Sequence, residues 1–132
     1  MFEEQKNKVI YPELSYRIIG TLFEVYNELG AGYKEKYYER AVVKSLTNKK
    51  IIFLSQVPYK IRFQGEIIGI NYLDFLIENK IILELKKGDY FSKHNIDQVN
   101  AYLKVTGLKL AILAQFTSQG VRFIRLLNMG LA

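Results

Sequence analysis

Apolar positions along the first third of the chain recur at helical spacing. Leu14, Ile18, Leu22, Val25 and Leu29 lay a single stripe along one helix face. Pro12 suits the first turn, where its missing N–H costs nothing, and Gly30 suits the stop, so the helix is set at Pro12 to Leu29. Gly30-Ala31-Gly32 reads as a tight turn. A second helix follows from about Tyr33 to Thr47 and closes at the polar Asn48-Lys49-Lys50.

The pattern then changes to strands. Ile51 to Leu54 is a short apolar run, and Val57 to Phe63 alternates, with Pro58 marking an edge or a strand beginning. Gln64-Gly65-Glu66 is a turn, Ile67 to Ile77 a long strand, Glu78-Asn79-Lys80 a turn, and Ile81 to Lys86 the next strand. After the break at Lys87-Gly88-Asp89, a third helix spans about Ser92 to Thr106, with Ser92 as N-cap and Gly107 past its end. Leu110 to Phe116 and Val121 to Leu127 are the last strands, joined by Ser118-Gln119-Gly120. The predicted class is α/β (α+β): a mixed β-sheet flanked by helices, in the order α-α-β-β-β-α-β-β. No repeat or linker divides the chain, so its 132 residues are expected to form one domain with a core at about 12–127.

Composition narrows the function classes. At 49% hydrophobic and 24% charged the chain is globular rather than disordered. It has no cysteine, which excludes disulfides, a thiolate zinc site and a cysteine nucleophile. The charged Met-Phe-Glu-Glu-Gln-Lys start has no apolar leader core, and no apolar run reaches the roughly 18 residues of a membrane span. A cytoplasmic protein without a membrane partner is expected. The net charge of +6 favours polyanions, nucleic acid above all, although the scattered cations equally suit a solvated surface.

Chemistry concentrates in Ile81-Ile82-Leu83-Glu84-Leu85-Lys86. Along a strand, Ile81, Leu83 and Leu85 share one face and Glu84 and Lys86 the other. If Glu78-Asn79-Lys80 is a three-residue hairpin loop, Ile77 faces Ile81 and Asp74 falls opposite Glu84. Two carboxylates so opposed repel unless a cation lies between them. Mg²⁺ accepts such a set, taking one or two carboxylates with water and phosphate. Lys86 would then stand where it can orient a nucleophile or neutralise charge on a phosphate. The same residues also suit a surface strand carrying a Glu–Lys pair. On the helices, Glu35 and Tyr38 share a face, as do His94, Gln98 and Tyr102. A lone histidine cannot build a histidine cluster, so His94 is read as a phosphate or substrate contact. Each of these helix residues also suits a solvated face.

At these residues the chain resembles the GxxExxY proteins, a small-domain branch of the PD-(D/E)xK nuclease superfamily. The matching pieces are Gly32-x-x-Glu35-x-x-Tyr38-x-x-Ala41, Asp74, Glu84-Leu85-Lys86, and His94-x-x-x-Gln98-x-x-x-Tyr102-Leu103-Lys104-x-Thr106-Gly107, in the family's order, within about residues 14–127. The resemblance implies a restriction-endonuclease-like core and a divalent metal, Mg²⁺ or Mn²⁺. It makes Asp74, Glu84 and the helix-borne Glu35 the metal-binding acids and Lys86 the catalytic lysine. Gln98 and Tyr102 match an element that supports the active site and DNA in related exonuclease-type enzymes, and Tyr38 and His94 join them as substrate-side residues. Two departures stand out. Leu73 precedes Asp74 where the superfamily name has Pro, and Ile70, Asn71 and Tyr72 occupy the stretch where family members carry an Arg.

Three functions compete. The first is a metal-dependent nuclease hydrolysing phosphodiester bonds of DNA. The second is a non-catalytic module binding nucleic acid or protein on a nuclease fold. The third is an assembly subunit, a homodimer or a protein complex, built through exposed Tyr59, Phe63 and Phe123 on the β edges.

Overall fold

A computed structural model describes residues 10–129. The charged N-terminal stretch, expected to carry no leader, lies outside the described residues. The elements are α1 (Pro12–Leu29), α2 (Glu35–Asn48), β1 (Phe53–Phe63), β2 (Glu66–Ile77), β3 (Ile81–Lys87), α3 (Lys93–Thr106), β4 (Leu110–Phe116) and β5 (Val121–Leu127). Their order is the one the periodicity predicts. Among the described residues no helix is long and apolar enough to cross a membrane.

The local reasons hold in detail. Pro12 opens α1, and Gly30 closes it with φ 74°, its N–H donating to Tyr26 O. The Ser92 hydroxyl caps α3 by accepting from Asn95 N–H, and Gly107 ends it in the left-handed region. Helix α2 starts at Glu35 rather than Tyr33, because Lys34 is extended and lies outside the helix.

The five strands form one sheet in the order β1-β2-β3-β4-β5. Neighbours are antiparallel except β3 and β4, which run parallel with α3 as the crossover. One face packs on α1 and α2 through Ile18, Leu22, Val42, Leu46, Phe75, Leu83, Leu85 and Ile112. The other packs on α3 through Leu73, Ile82, Val99, Tyr102, Leu103 and Leu113. Every residue of β4 is buried, as a strand covered on both faces requires. Each large core side chain contributes about 1.5–3 kcal/mol of burial.

Two details correct the expected strands. Ile51–Leu54 and Val57–Phe63 are not separate pieces: β1 runs from Phe53 to Phe63 through Gln56, a left-handed residue at φ 51°. Pro58 therefore sits inside a strand, tolerated because β1 is the sheet's edge. Second, β2 pairs with β3 over only three rungs, Ile77–Ile81, Leu76–Ile82 and Phe75–Leu83. Its outer part continues with β1 alone, as a two-stranded arm. At Asp74 the strand also turns about its axis, since Leu73 packs on the α3 side and Phe75 on the α1–α2 side.

Candidate functional site

The site begins where β2 and β3 part. The hairpin register is the one the three-residue loop predicts, with Ile77 opposite Ile81. Asp74 and Glu84 lie one rung past its last pair, so the strands have already separated there. Backbone groups freed by that separation need partners. Asp74 N–H donates to Glu84 Oε1 at 2.7 Å, and Leu85 N–H donates to Asp74 Oδ2 at 2.9 Å. The two carboxylates therefore stitch the fork, each oriented by the other strand's backbone. The second oxygens remain. Asp74 Oδ1 receives only a long 3.4 Å contact from Gln56 Nε2, and no hydrogen bond among the described residues reaches Glu84 Oε2.

Electrostatically the fork lacks positive charge. Glu84 is 2% exposed, and no ion pair within 4 Å reaches it or Asp74 among the described residues. Burial pushes the Glu84 carboxyl up to about 8, with the charge of Asp74 adding to the shift. Burial likewise raises Asp74 to about 6, with Glu39 and Glu35 adding to it and the Leu85 amide opposing it. Lys86, half-exposed on β3 two residues beyond Glu84, favours the charged form of both acids but does not compensate the burial.

Helix α2 brings further acids over the fork. Glu35 is its first residue and is exposed; its negative charge acts on both Asp74 and Glu84. Glu39, one turn later, accepts a 2.7 Å hydrogen bond from Gln56 Nε2, the amide that also leans on Asp74. The sequence reading missed both Glu39 and Gln56. Glu39 was legible as an acid at i+4 from Glu35. Gln56 was hidden because its polar break looked like a gap between strands. Gln115 was missed too. Paired with Lys86 in the parallel register and buried, it donates through Nε2 to Tyr90 O and so ties down the loop that leaves β3. Its signal was a lone amide inside the apolar Leu110–Phe116 run, and its Oε1 has no hydrogen-bond partner among the described residues.

The expected substrate-side residues divide. His94 is exposed and Gln98 half-exposed on α3, and among the described residues neither is held by a hydrogen bond. Tyr38 and Tyr102, expected as substrate-side residues, are each 1% exposed. Tyr38 stacks on Phe116 with centroids 4.2 Å apart and donates its hydroxyl to Gly30 O at 2.6 Å, so it anchors α2. Tyr102 lies under the fork against Tyr59, with ring centroids 4.7 Å apart. Burial, then the charge of Glu84, raises its hydroxyl well above the usual tyrosine range.

The donor set fits a divalent cation of modest demands. Mg²⁺ needs hard oxygens and keeps several waters, so two carboxylates with an oxygen each to spare suffice. The raised carboxyls point the same way, because a cation would supply the missing charge. The third expected ligand does not join them. No group of three or more acids or histidines is gathered at ligating distance among the described residues, so Glu35 acts on the fork by its charge.

No curated protein matches the chain. Among similar solved structures is "Crystal structure of SSO0001", at 15% identity, covering 86% of this chain and 77% of that one with a TM-score of 0.48. A family model described as the PD-(D/E)XK nuclease superfamily matches residues 12–126, from the start of α1 into β5. Members of that superfamily generally use divalent metal ions. With the match running through every element of the sheet and all three helices, the chain belongs to the PD-(D/E)XK nuclease superfamily.

Proposed function

We propose that this protein is a divalent-metal-dependent nuclease that hydrolyses phosphodiester bonds of DNA, and that its 132 residues form a single nuclease-like domain with its core at about 12–127. The observation that carries the reading is the strand fork: a buried Glu84 and a half-buried Asp74, both short of positive charge and each with an oxygen to spare, beside the ammonium of Lys86. Asp74 and Glu84 hold the cation, Mg²⁺ or Mn²⁺. A cation bound there activates water and withdraws charge from the scissile phosphate. Lys86 faces the same phosphate, where its compact charge stabilises the oxygens as they become more negative. Glu35 stands at the mouth of the fork and orders the waters around the cation. Gln98 and His94 contact the nucleic-acid backbone from α3. Tyr102 acts from beneath, holding the floor on which Glu84 rests. The GxxExxY pattern on Gly32, Glu35 and Tyr38 supports membership of that branch of the superfamily.

A second reading keeps the fold and drops the turnover: a module that grips nucleic acid or protein. It is favoured by the uncharged Ile70-Asn71-Tyr72 stretch before Asp74 and by the absence, among the described residues, of a third acid at ligating distance. One experiment separates the two. The protein and its Lys86→Ala variant are incubated with linear and circular DNA, single- and double-stranded, and with RNA, in Mg²⁺, Mn²⁺ or EDTA. Cleavage that requires metal and is lost in the variant establishes the nuclease, and the circular substrate distinguishes internal from end-directed cutting. Absence of cleavage together with absence of metal binding leaves the binding module.

A further inference from the structure

Beyond Asp74 the β1–β2 arm carries a surface that the fork does not use. Three cross-strand pairs define one of its faces: Pro58 with Tyr72, Lys60 with Ile70, and Arg62 with Ile67. Pro58, Lys60 and Arg62 alternate along β1 and Tyr72 and Ile70 along β2, and the register shift at Ile61/Arg62 brings Ile67 opposite Arg62, so these six side chains stand together. Val57, Tyr59 and Leu73 occupy the other face and pack towards α3. Among the described residues nothing covers the first face. Tyr72 is 52% exposed, Ile70 50% and Ile67 48%, and Ile68, bulged out of the ladder beside them, is 64% exposed.

Such a row is unusual on a free surface. A two-stranded ribbon is marginal by itself, and a contiguous apolar patch marks a contact site. We infer that this face of the arm is a homodimer interface, in which a second copy packs its own Ile67, Ile70 and Tyr72 against the first. The layout is self-complementary. The apolar row lies on β2 and the cationic row, Lys60 and Arg62, on β1. A two-fold axis over the β2 row joins apolar to apolar and leaves both cationic rows at the rim, where they stay solvated. The exposed apolar side chains and the stems of the two cations offer on the order of 700 Å² per copy, close to the share each partner gives to a standard stable interface. Edge-to-edge pairing of β1 is the competing geometry, and Pro58 opposes it by removing a donor from that edge. Face-to-face packing needs no edge donor.

The surface expected from the sequence is thereby relocated. Tyr59 is half-buried against Tyr102, and Phe123 is half-buried with its edge against Phe23. Only Phe63 of that trio is exposed, and its pairing with Glu66 puts it at the arm's tip. The dimer does not depend on the nuclease reading. It does fix two forks relative to one another, since Tyr72 lies two residues from Asp74.

Sedimentation equilibrium of the full chain, with Ile70→Lys beside it, tests the inference. The wild type should dimerise with a Kd below about 10 µM, and the variant should weaken that at least about tenfold while keeping its circular dichroism and melting curve. Because the chain has no cysteine, Ile70→Cys provides a second test that does not rely on disruption. Mild oxidation should link it into a covalent dimer far faster than Asn100→Cys, exposed on α3. A wild type that stays monomeric at about 100 µM overturns the inference. So does a dimer indifferent to Ile70→Lys, or equal cross-linking at both cysteines. A monomer whose DNA affinity falls with Ile70→Lys overturns it as well, in favour of a substrate contact.

Discussion

Strand β3 has two neighbours, and its two sides behave differently. On the β4 side the ladder runs unbroken from Ile81–Leu110 to Lys87–Phe116. On the β2 side it stops after Phe75–Leu83. The complete ladder satisfies its own backbone, so β4 is free to be apolar nearly throughout. The interrupted ladder leaves donors, and the side chains that accept from them are Asp74 and Glu84. An ionised carboxylate can accept at both oxygens, so each acid ends the ladder with one and keeps the other available. The break in the sheet and the chemistry of the site are thus the same feature.

That contrast can be broken at several points. The largest effect belongs to Lys86. Replacement by Ala should lower metal-dependent cleavage about 10²–10³-fold, read by single-turnover kinetics, with the fold unchanged because the side chain is half-exposed and makes no hydrogen bond among the described residues. The β4 side should respond in the opposite sense. Ile112→Ala should cost about 2–5 kcal/mol in urea unfolding while the folded fraction keeps its activity.

The pH dependence is next in size. Asp74 rises from 3.8 to about 6 and Glu84 from 4.5 to about 8, so the folded protein binds protons that the unfolded chain releases. Stability contributed by the protonated acids is present at low pH. In the metal-free protein it should fall as pH rises from about the unfolded values towards 8. Glu84→Gln should flatten that slope and stabilise the metal-free protein at pH near 8.5 by roughly 1–2 kcal/mol, even as it removes metal binding. A thermal-melt series across pH in EDTA measures both. The smallest effect concerns Gln56, whose amide orients Asp74 from the β1 side. Gln56→Gly suits the left-handed backbone but deletes the amide, so Mn²⁺ affinity should weaken about tenfold without loss of stability.

Most of the fold was legible because it rests on local rules. The apolar stripe, Pro12 and Gly30 set α1, and Ser92 and Gly107 bounded α3. The Asp74–Glu84 proximity followed from a hairpin loop of three residues and the two-residue period of strands. What the sequence hid depends on tertiary geometry. Parting of β2 from β3 has no local signature, so the acids were read as opposed in a ladder rather than as its replacement. The left-handed turn at Gln56 looked like a loop. Tyr38 and Tyr102 lay on the expected helix faces, but a face cannot say whether its neighbour is solvent or core, and both rings proved buried. Glu35 was placed by its motif, while its distance from the other acids required the structure.

The central claim is that the fork formed by Asp74 and Glu84 holds a divalent cation. Calorimetric titration of Mn²⁺ into the metal-free protein at pH about 8, where the acids can ionise, tests it most directly, with Asp74→Asn and Glu84→Gln alongside. Saturable binding that is lost in both variants while their folds persist is the predicted result. Absence of binding, or binding that survives either substitution unchanged, would contradict the account.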